Sequence, residues 1–173
     1  MEQVILVNTK DQPVGVMEKM EAHRQGALHR AFSVVIFNSK GEVLLQKRAQ
    51  AKYHSGGLWT NACCSHPNPG EDMIAAVQRK LKHEMGLTVL PLFIFKFTYH
   101  ADVGNGLTEH ELDHVYTATC DETPQINRQE VEDWKFMDTV SLFEDVVNQP
   151  EIYSTWFRLI LKHPDFVAAG SSA

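Results

Sequence analysis

The chain of 173 residues is poor in cysteine, in positive charge and in long apolar runs. Three cysteines, two of them adjacent, are too few for a disulfide framework and indicate a reducing compartment. Sixteen Lys and Arg against 22 Asp and Glu give a net charge of −6 without a basic run, which argues against a nucleic-acid partner. The start of the chain lacks a signal-like basic and apolar segment, and no apolar run reaches membrane-spanning length. We therefore expect a cytoplasmic enzyme with no nucleic-acid or membrane partner.

A hydrophobic content of 43% and a charged content of 22% are typical of one globular domain, which we expect over residues 1–173. Strand and helix patterns alternate, which predicts an α/β (α+β) domain with a mixed sheet between helices. The predicted strands are 4–7, 13–16, 30–37, 42–48, 88–99, 109–120 and 131–137. The predicted helices are 18–25, 71–85, 141–148 and 153–162, and the small, polar tail 168–173 is predicted to be disordered. Residues 4–16 read as a hairpin, and so do residues 30–48.

The stretch Trp59–Leu87 organises the rest of the chain. Pro67 and Pro69 exclude a helix or a central strand, so Cys64 and His66 are expected in a rigid loop. A helix follows, with two acidic residues in its first turn and Gly86 at its end. Its predicted buried stripe consists of Ile74, Val77, Leu81 and Met85. Lys80 and Glu84 fall together on one shoulder of that stripe, and Arg79 and His83 fall on the opposite face.

This stretch resembles the Nudix box, a loop and helix whose carboxylates hold a divalent metal on a diphosphate. The residues that carry the resemblance are Glu71, Arg79, Glu84, Gly86 and Leu87. Lys80 and His83 stand where the box has glutamates, and Ser65 stands where it has glycine. The loss of two acidic positions argues against ordinary metal-assisted diphosphate hydrolysis.

The preceding loop, Asn61–Pro67, resembles that of one Nudix-like branch, the type I isopentenyl-diphosphate Δ-isomerases. The resemblance implies a Nudix-like sheet with an added N-terminal hairpin and helix, residues 1–27, that carry part of the site. It implies interconversion of isopentenyl and dimethylallyl diphosphate through a tertiary carbocation, by proton addition and removal. The expected partner is a small isoprenoid diphosphate, and the expected assembly is a monomer or a weak homodimer.

A metal site is the first candidate for chemistry. Three imidazoles and two carboxylates would suit Zn²⁺, Mn²⁺ or Fe²⁺ better than Ca²⁺. From spacing alone, most of the nine histidines are better explained as surface residues. The resemblance favours the metal site, because it implies five ligands that occur here in order: His23, His29, His66, Glu109 and Glu111. The expected ion is Zn²⁺ or Mn²⁺.

Allylic isomerisation needs two proton-transfer groups on opposite faces of a flat hydrocarbon. The resemblance selects Cys64 as one group and Glu111 as the other, with the Tyr99 hydroxyl beside Glu111. From position alone, Tyr99 reads equally well as an ordinary strand aromatic, and a free cysteine is usually a small buried hydrophobe. Cys63, adjacent to Cys64 and facing another way, takes that structural interpretation.

The resemblance also assigns residues to the charged head and to the carbocation. It places Lys19, Arg48, Lys52 and Lys80 on the diphosphate, and it places Glu84 on a Mg²⁺ ion shared with the phosphates. Trp156 would face the carbocation, where a desolvated cation–π contact is worth about 2 kcal/mol. The alternatives are solvated surface lysines, a simple Lys80–Glu84 helix pair, and core packing of Trp156.

Two competing functions stay open from the sequence. A Nudix hydrolase of a nucleoside diphosphate derivative would release phosphate or a nucleoside monophosphate. An inactive binding module would hold diphosphates without turnover, and it would have no reason to keep Cys64, Glu109 and Glu111 together.

Overall fold

A computed structural model of the protein describes residues 2–170 as a mixed sheet between two layers of helix. The strands are β1 (Gln3–Val7), β2 (Pro13–Glu18), β3 (His29–Phe37), β4 (Val43–Arg48), β5 (Trp59–Thr60), β6 (Cys63–Ser65), β7 (Leu92–Asp102), β8 (Thr108–Thr119) and β9 (Val131–Met137). The helices are α1 (Lys19–Gln25), α2 (Met73–Met85), α3 (Thr139–Asn148), α4 (Thr155–Lys162) and α5 (Pro164–Gly170). The predicted α+β class is therefore confirmed. None of the described helices is long and apolar enough to cross a membrane.

Strand β3 is the centre of the sheet, as its apolar run predicts. One edge pairs in parallel with β8 along the whole strand. The other edge pairs in turn with β1, β6 and β4. The predicted β3–β4 hairpin is paired only at Phe37 and Val43, beside the turn, because β4 then diverges to pair with β5 and β9. This divergence opens room for the short strands that carry the cysteines.

Side chains of β3 alternate between two apolar layers, as the period of a strand requires. Phe32, Val34 and Ile36 face α2 in one layer. Val35 faces the other layer, which contains α3, α4 and Phe95 of β7. Burial on both faces explains why β3 reads as a continuous apolar run.

Helix α2 keeps its predicted stripe and its predicted end, but its start differs. Val77, Leu81 and Met85 are fully buried, and Gly86 ends the helix with a left-handed φ of 70°. Asp72 is the N-cap, and its carboxylate accepts a hydrogen bond from the Ala75 backbone N–H. The expected acidic first turn is therefore wrong, because the two acids precede the helix. Glu71 instead binds Arg79 through two hydrogen bonds of 2.6 and 2.7 Å.

Other boundaries also differ from the sequence prediction, among them that of β7, which runs Leu92–Asp102 where 88–99 was predicted. Cys64 lies on β6, not in a loop, because Cys63–Ser65 pairs with β3 before the prolines begin. Helix α3 begins at Thr139, two residues before its predicted start, because Asp138 caps it: the Asp138 side chain accepts a hydrogen bond from the Ser141 N–H. Tyr153 precedes α4 and bridges to Trp59.

The C-terminal tail differs in part from the prediction. Helix α5 runs to Gly170, across residues 168–170 that were predicted to be disordered. The rest of that predicted tail, residues 171–173, lies outside the described residues.

Candidate active site

One pocket collects most of the side chains that the sequence selects. Ten of the fourteen residues that line it were predicted: Lys19, Arg48, Lys52, Cys64, His66, Lys80, Glu84, Glu109, Glu111 and Trp156. His23, His29 and Tyr99 are buried and directly contact this lining. The structure therefore brings together all thirteen predicted residues, although they come from ten separate elements and loops.

The histidines and glutamates form two overlapping groups with the geometry of metal ligands. Ligand atoms of His23, His29, His66 and Glu111 lie within 4.8 Å of one another. A second group consists of His23, Glu109 and a residue that the sequence analysis did not select, His54. All six side chains are buried.

Distances between ligand atoms fit a shared ion. The Nε2 atoms of His29 and His66 lie 3.2 Å apart, and Glu111 Oε1 lies 2.9 Å from the His66 Nε2. Neighbouring ligands at right angles around a metal, with bonds of about 2.1 Å, are separated by about 3 Å. Two lone pairs this close repel each other unless a cation or a proton lies between them, so the spacing fits a metal centre.

Backbone carbonyls orient two of the imidazoles. His23 Nδ1 lies 2.7 Å from the Lys19 carbonyl oxygen, and His29 Nδ1 lies 2.8 Å from that of Ala27. A donated Nδ1–H leaves the lone pair on Nε2, which is the usual arrangement of a metal-binding histidine. The His23 Nε2 is buried and has no hydrogen-bond partner. Burial, and then the charge of His66, lowers the pKa of His23 to about 4, so the ring is neutral and able to bind a cation.

The two carboxylates of β8 share one hydroxyl. Glu109 and Glu111 point to the same face because they are two residues apart. The Tyr99 hydroxyl lies 2.7 Å from Glu111 and 3.0 Å from Glu109. Burial and then the charge of Glu111 raise the pKa of Glu109, whereas the adjacent His29 and His66 rings outweigh burial and lower the pKa of Glu111. The two carboxyl groups are therefore shifted in opposite directions, although they contact the same hydroxyl.

Cys64 lies across β3 from Glu111. Cys64 is paired with Ser33 on one edge of β3, and Glu111 is paired with His29 on the other edge. Two strand spacings across the sheet, together with the four-residue separation of His29 and Ser33 along β3, put their backbones about 16 Å apart. Both side chains face the same pocket. Burial raises the pKa of the Cys64 thiol, partly offset by Arg48, whose Nη1 lies 3.8 Å from the sulfur.

The four predicted cations have different partners. Lys80 and Glu84 lie 3.2 Å apart. Burial lowers the pKa of Lys80, but the charge of Glu84 outweighs burial, so the pKa of the lysine is raised. Lys52 pairs with Glu130, and Lys19 pairs with Glu2. Arg48 donates to the His54 carbonyl oxygen at 3.2 Å, which fixes its guanidinium at the pocket wall.

Glu84 is held at the pocket wall by residues of the core. Its carboxylate accepts from the Gln46 amide at 3.1 Å and lies 3.6 Å from the Cys63 sulfur. Cys63 is completely buried, as its structural interpretation requires. Glu84 is itself only 5% exposed, so it faces the pocket and not the outer surface of α2.

Trp156 closes the apolar side of the pocket. Its indole N–H donates to the Asn61 side-chain oxygen at 3.2 Å, which fixes the ring plane. The Arg48 guanidinium lies 5.1 Å from the ring centre, so the indole already accepts a cation–π contact. The side chain is 2% exposed.

Four lining residues were not predicted from the sequence: Glu2, Tyr53, His54 and Ser65. His54 gave a weak signal, since it is a histidine beside Lys52 in the loop that leads to the cysteines. Glu2 gave none, because only folding places the first strand beside Lys19. Its pKa is lowered, since the hydrogen bond from Lys19 outweighs burial.

Comparisons with known proteins agree with this fold. The NUDIX domain family model matches residues 27–157. A Deinococcus radiodurans crystal structure superposes with a TM-score of 0.78 at 18% identity, covering 93% of this chain and 98% of that chain. A MutT protein from Methanosarcina mazei superposes with a TM-score of 0.63 at 18% identity, covering 84% and 94%. At such identities the likeness concerns the fold alone.

Relatives with similar sequences show to which family with the Nudix fold the chain belongs. An isopentenyl-diphosphate Delta-isomerase of Pectobacterium atrosepticum is 47% identical over 171 residues, which are 98% of this chain and 96% of the relative. A second one, from Aromatoleum aromaticum, is 48% identical over 160 residues, which are 92% and 85% of the two chains. With this identity over nearly the whole length, and with a Nudix fold around a buried His/Glu cluster, the chain belongs to the isopentenyl-diphosphate Δ-isomerase family.

Proposed function

We propose that this protein interconverts isopentenyl diphosphate and dimethylallyl diphosphate by moving one proton onto the hydrocarbon and another off it. The observation that carries the proposal is the position of Cys64 and Glu111 on opposite edges of β3, facing one pocket. A flat five-carbon chain between them would present opposite faces to the thiol and the carboxylate.

The proton balance needs only these two groups. One of them adds a proton to the double bond, which leaves a tertiary carbocation, and the other removes a proton from the neighbouring carbon. The double bond moves by one position, and one proton has passed from the first group to the second. Burial keeps the Cys64 thiol protonated at neutral pH by raising its pKa, and the Tyr99 hydroxyl supports the carboxylate of Glu111.

Trp156 would protect the carbocation. The indole supplies a π face, and such a contact is worth about 2 kcal/mol or more when water is excluded. Because Trp156 and Tyr99 are buried, water has little access to the cation. Exclusion of water matters, since its addition would give an alcohol in place of the isomer.

The proposed metal ligands are His23, His29, His66, Glu109 and Glu111, with Zn²⁺ or Mn²⁺ as the ion. A bound divalent ion would supply fixed positive charge that orients Glu111 and sets its proton affinity. The lowered pKa of His23 and its unpartnered Nε2 support this assignment.

We assign the diphosphate to the cations at the pocket mouth, Lys19, Arg48, Lys52 and Lys80. Glu84 would share a Mg²⁺ ion with the phosphates, since its carboxylate faces the pocket beside Lys80. Glu2 now neutralises Lys19, so substrate binding would exchange that ion pair for a phosphate contact.

Hydrolysis of the diphosphate is disfavoured by the same helix. Lys80 and His83 stand at the two positions where a Nudix box has glutamates. Lys80 neutralises Glu84. His83 points outward, and its side chain is 55% exposed. Only one acidic side chain of α2 then faces the pocket. The protein would act on the hydrocarbon end and leave the phosphorus bonds intact.

The proposal also covers the compartment, the assembly and the domain organisation of the protein. We assign the protein to the cytoplasm, as a monomer or weak homodimer without nucleic-acid or membrane partners, because its three cysteines are unpaired and its net charge is −6. Residues 1–173 would form one domain, in which residues 1–27 are an extension that supplies Lys19 and His23. The family model begins at residue 27, which supports that division.

Proton NMR in D₂O with Mg²⁺ tests the proposed reaction. Incubation with isopentenyl diphosphate should convert the terminal alkene signals into methyl signals of dimethylallyl diphosphate, with deuterium incorporated. The phosphorus spectrum should stay that of a diphosphate. Release of inorganic phosphate or a monophosphate would favour a hydrolase, and unchanged spectra with saturable binding would favour a binding module.

A further inference from the structure

We propose that His54 is an additional ligand of the metal centre, so that the site offers four imidazoles and two carboxylates to a single ion. The inference rests on the metal site of the proposed function and adds a residue to it. His54 lies in the loop between β4 and β5, twelve residues before the proposed ligand His66.

The position of the His54 ring supports this role. The side chain is 4% exposed, and its Nε2 is buried without a hydrogen-bond partner. That atom lies 3.1 Å from Glu109 Oε1, but the contact lacks hydrogen-bond geometry. The distance equals the spacing of about 3 Å expected for two neighbouring ligands of one ion.

The second ring nitrogen of His54 is oriented from outside the cluster. Nδ1 lies 3.2 Å from the Ser55 hydroxyl oxygen, which can accept its proton and leave the lone pair on Nε2. A buried imidazole with a free lone pair beside a carboxylate is a donor prepared for a metal.

His23 shows why the two groups of ligands belong to one ion and not to two. It is the one residue common to both groups. Its Nδ1 is engaged with the Lys19 carbonyl oxygen, so only Nε2 can bind a metal. One lone pair serves one ion, so His23 cannot hold a separate ion in each group, and we assign both groups to one shell. Six protein ligands favour an ion that accepts six-coordinate geometry over the tetrahedral arrangement of structural zinc.

The alternative is that His54 only supports Trp156. Its ring contacts the indole edge-on, with ring centres 6.0 Å apart. A packing role requires no free lone pair near Glu109, and metal-bound protein can distinguish the two roles.

X-ray absorption and visible spectra of the Co²⁺-loaded, full-length protein test the assignment. We expect scattering from four imidazoles and the weak bands of a six-coordinate ion. His54→Gln should give three imidazoles and a metal affinity at least tenfold weaker in chelator competition. His83→Gln is the matched control, since His83 is exposed on α2, and it should match the parent in both readouts.

Three results would overturn the inference. The first is a count of three imidazoles in the X-ray absorption of the parent protein. The second is a spectrum of His54→Gln that equals that of the parent. The third is a weaker metal affinity of His54→Gln at an unchanged imidazole count, which would place His54 outside the shell. The parent spectrum decides the question even if the variant fails to fold. The readouts concern the metal and not turnover, so an inactive parent would contradict the proposed function without affecting this result.

Discussion

Cys64 shows at the scale of one residue how burial decides chemistry. Adjacent thiols in one short strand face different environments: Cys63 is enclosed in the core and Cys64 faces the pocket. Only the second can reach a substrate. The two sulfurs have the same intrinsic reactivity, and the fold alone separates their roles.

Replacement of Cys64 by alanine should remove one of the two proton-transfer groups. General acid–base catalysis typically contributes about 10²- to 10⁴-fold, and we expect turnover to fall by at least that factor. The substrate KM should change little, because the cations at the mouth remain. Steady-state kinetics with coupled product detection, together with circular dichroism, would measure both effects.

Cys120→Ala is the matched control for that variant. Cys120 follows β8 and packs at the margin of the core behind α2, outside the pocket lining. Its removal should leave kcat within about twofold. Near-parental turnover of Cys64→Ala would contradict the two-group mechanism.

Helix α2 illustrates the scale of an element, because its start depends on one side chain. The first backbone N–H groups of a helix have no partner within it, and the Asp72 carboxylate accepts from one of them. The helix in turn fixes Lys80 and Glu84 at the pocket. Local capping therefore supports a functional surface one to three turns away.

Asp72→Ala should destabilise the protein by about 0.5–2 kcal/mol, the cost of losing an N-cap. Catalysis below the unfolding transition should persist, since Asp72 lies outside the pocket lining. Denaturant unfolding would measure the change. Glu122→Ala is the control, because it removes an exposed acid outside the helices, and it should change stability little. Equal losses of stability in the two variants would contradict the capping role of Asp72.

The N-terminal hairpin is fastened to the sheet by Asp11. Its carboxylate contacts Arg30 of β3, Lys96 of β7 and His114 of β8 at 2.8–2.9 Å. Asp11 has a φ of 63°, a left-handed conformation that Asp and Asn tolerate better than most residues. These cations outweigh burial and lower the pKa of Asp11 from 3.8.

The sign of the pH effect follows from that lowered pKa. Stabilisation by Asp11 is fully present above the unfolded-state value of 3.8, and it is lost as the pH falls through the lower folded-state value. Asp11→Asn should cost about 1 kcal/mol at pH 7, the scale of solvent-screened ion pairs, and much less at pH 3. Urea unfolding at both values would test this, and a pH-independent difference would contradict the fastening role.

At the scale of the molecule, the proposed metal ligands join the N-terminal extension to the sheet. His23 comes from α1, His29 from β3, and Glu111 from β8, while His66 follows β6. Binding an ion to the folded state alone stabilises it by about 2.7 kcal/mol when free metal is a hundredfold above Kd. The stability of the whole protein then depends on metal concentration.

Chelation should therefore lower the melting temperature by roughly 5–10 °C at that metal excess. Addition of Mn²⁺ or Zn²⁺ should restore it. His23→Gln should abolish most of the difference, whereas His83→Gln should keep it. Calorimetry with and without chelator would measure these shifts, and metal-independent melting of the parent would contradict the proposed centre.

Secondary structure was the part most open to prediction from sequence. β9 matched at both ends, and β3, α2 and α4 shifted by one or two residues, because their periodicity and their capping residues are local properties. Errors arose where a neighbour intervened. Cys63–Ser65 became a strand because β3 offered it an unpaired edge, and the β3–β4 hairpin opened because other strands took its pairing sites.

The candidate site divides in the same way. Motif spacing and family resemblance selected thirteen residues that the fold gathers in and around one pocket. They missed His54 and Glu2, because neither has a partner nearby in the chain, and contacts between distant segments leave no periodic trace.

The amino-acid order by itself determined which segments are strands or helices, where α2 ends, and which side chains can donate lone pairs or protons. Those properties depend on backbone preference, apolar spacing and side-chain chemistry within a few residues. Tertiary structure alone decided that β3 separates Cys64 from Glu111, and that a loop histidine reaches Glu109. The physical reason is that strand pairing and burial act between segments far apart in the chain, and they set distance, protonation and access to water together.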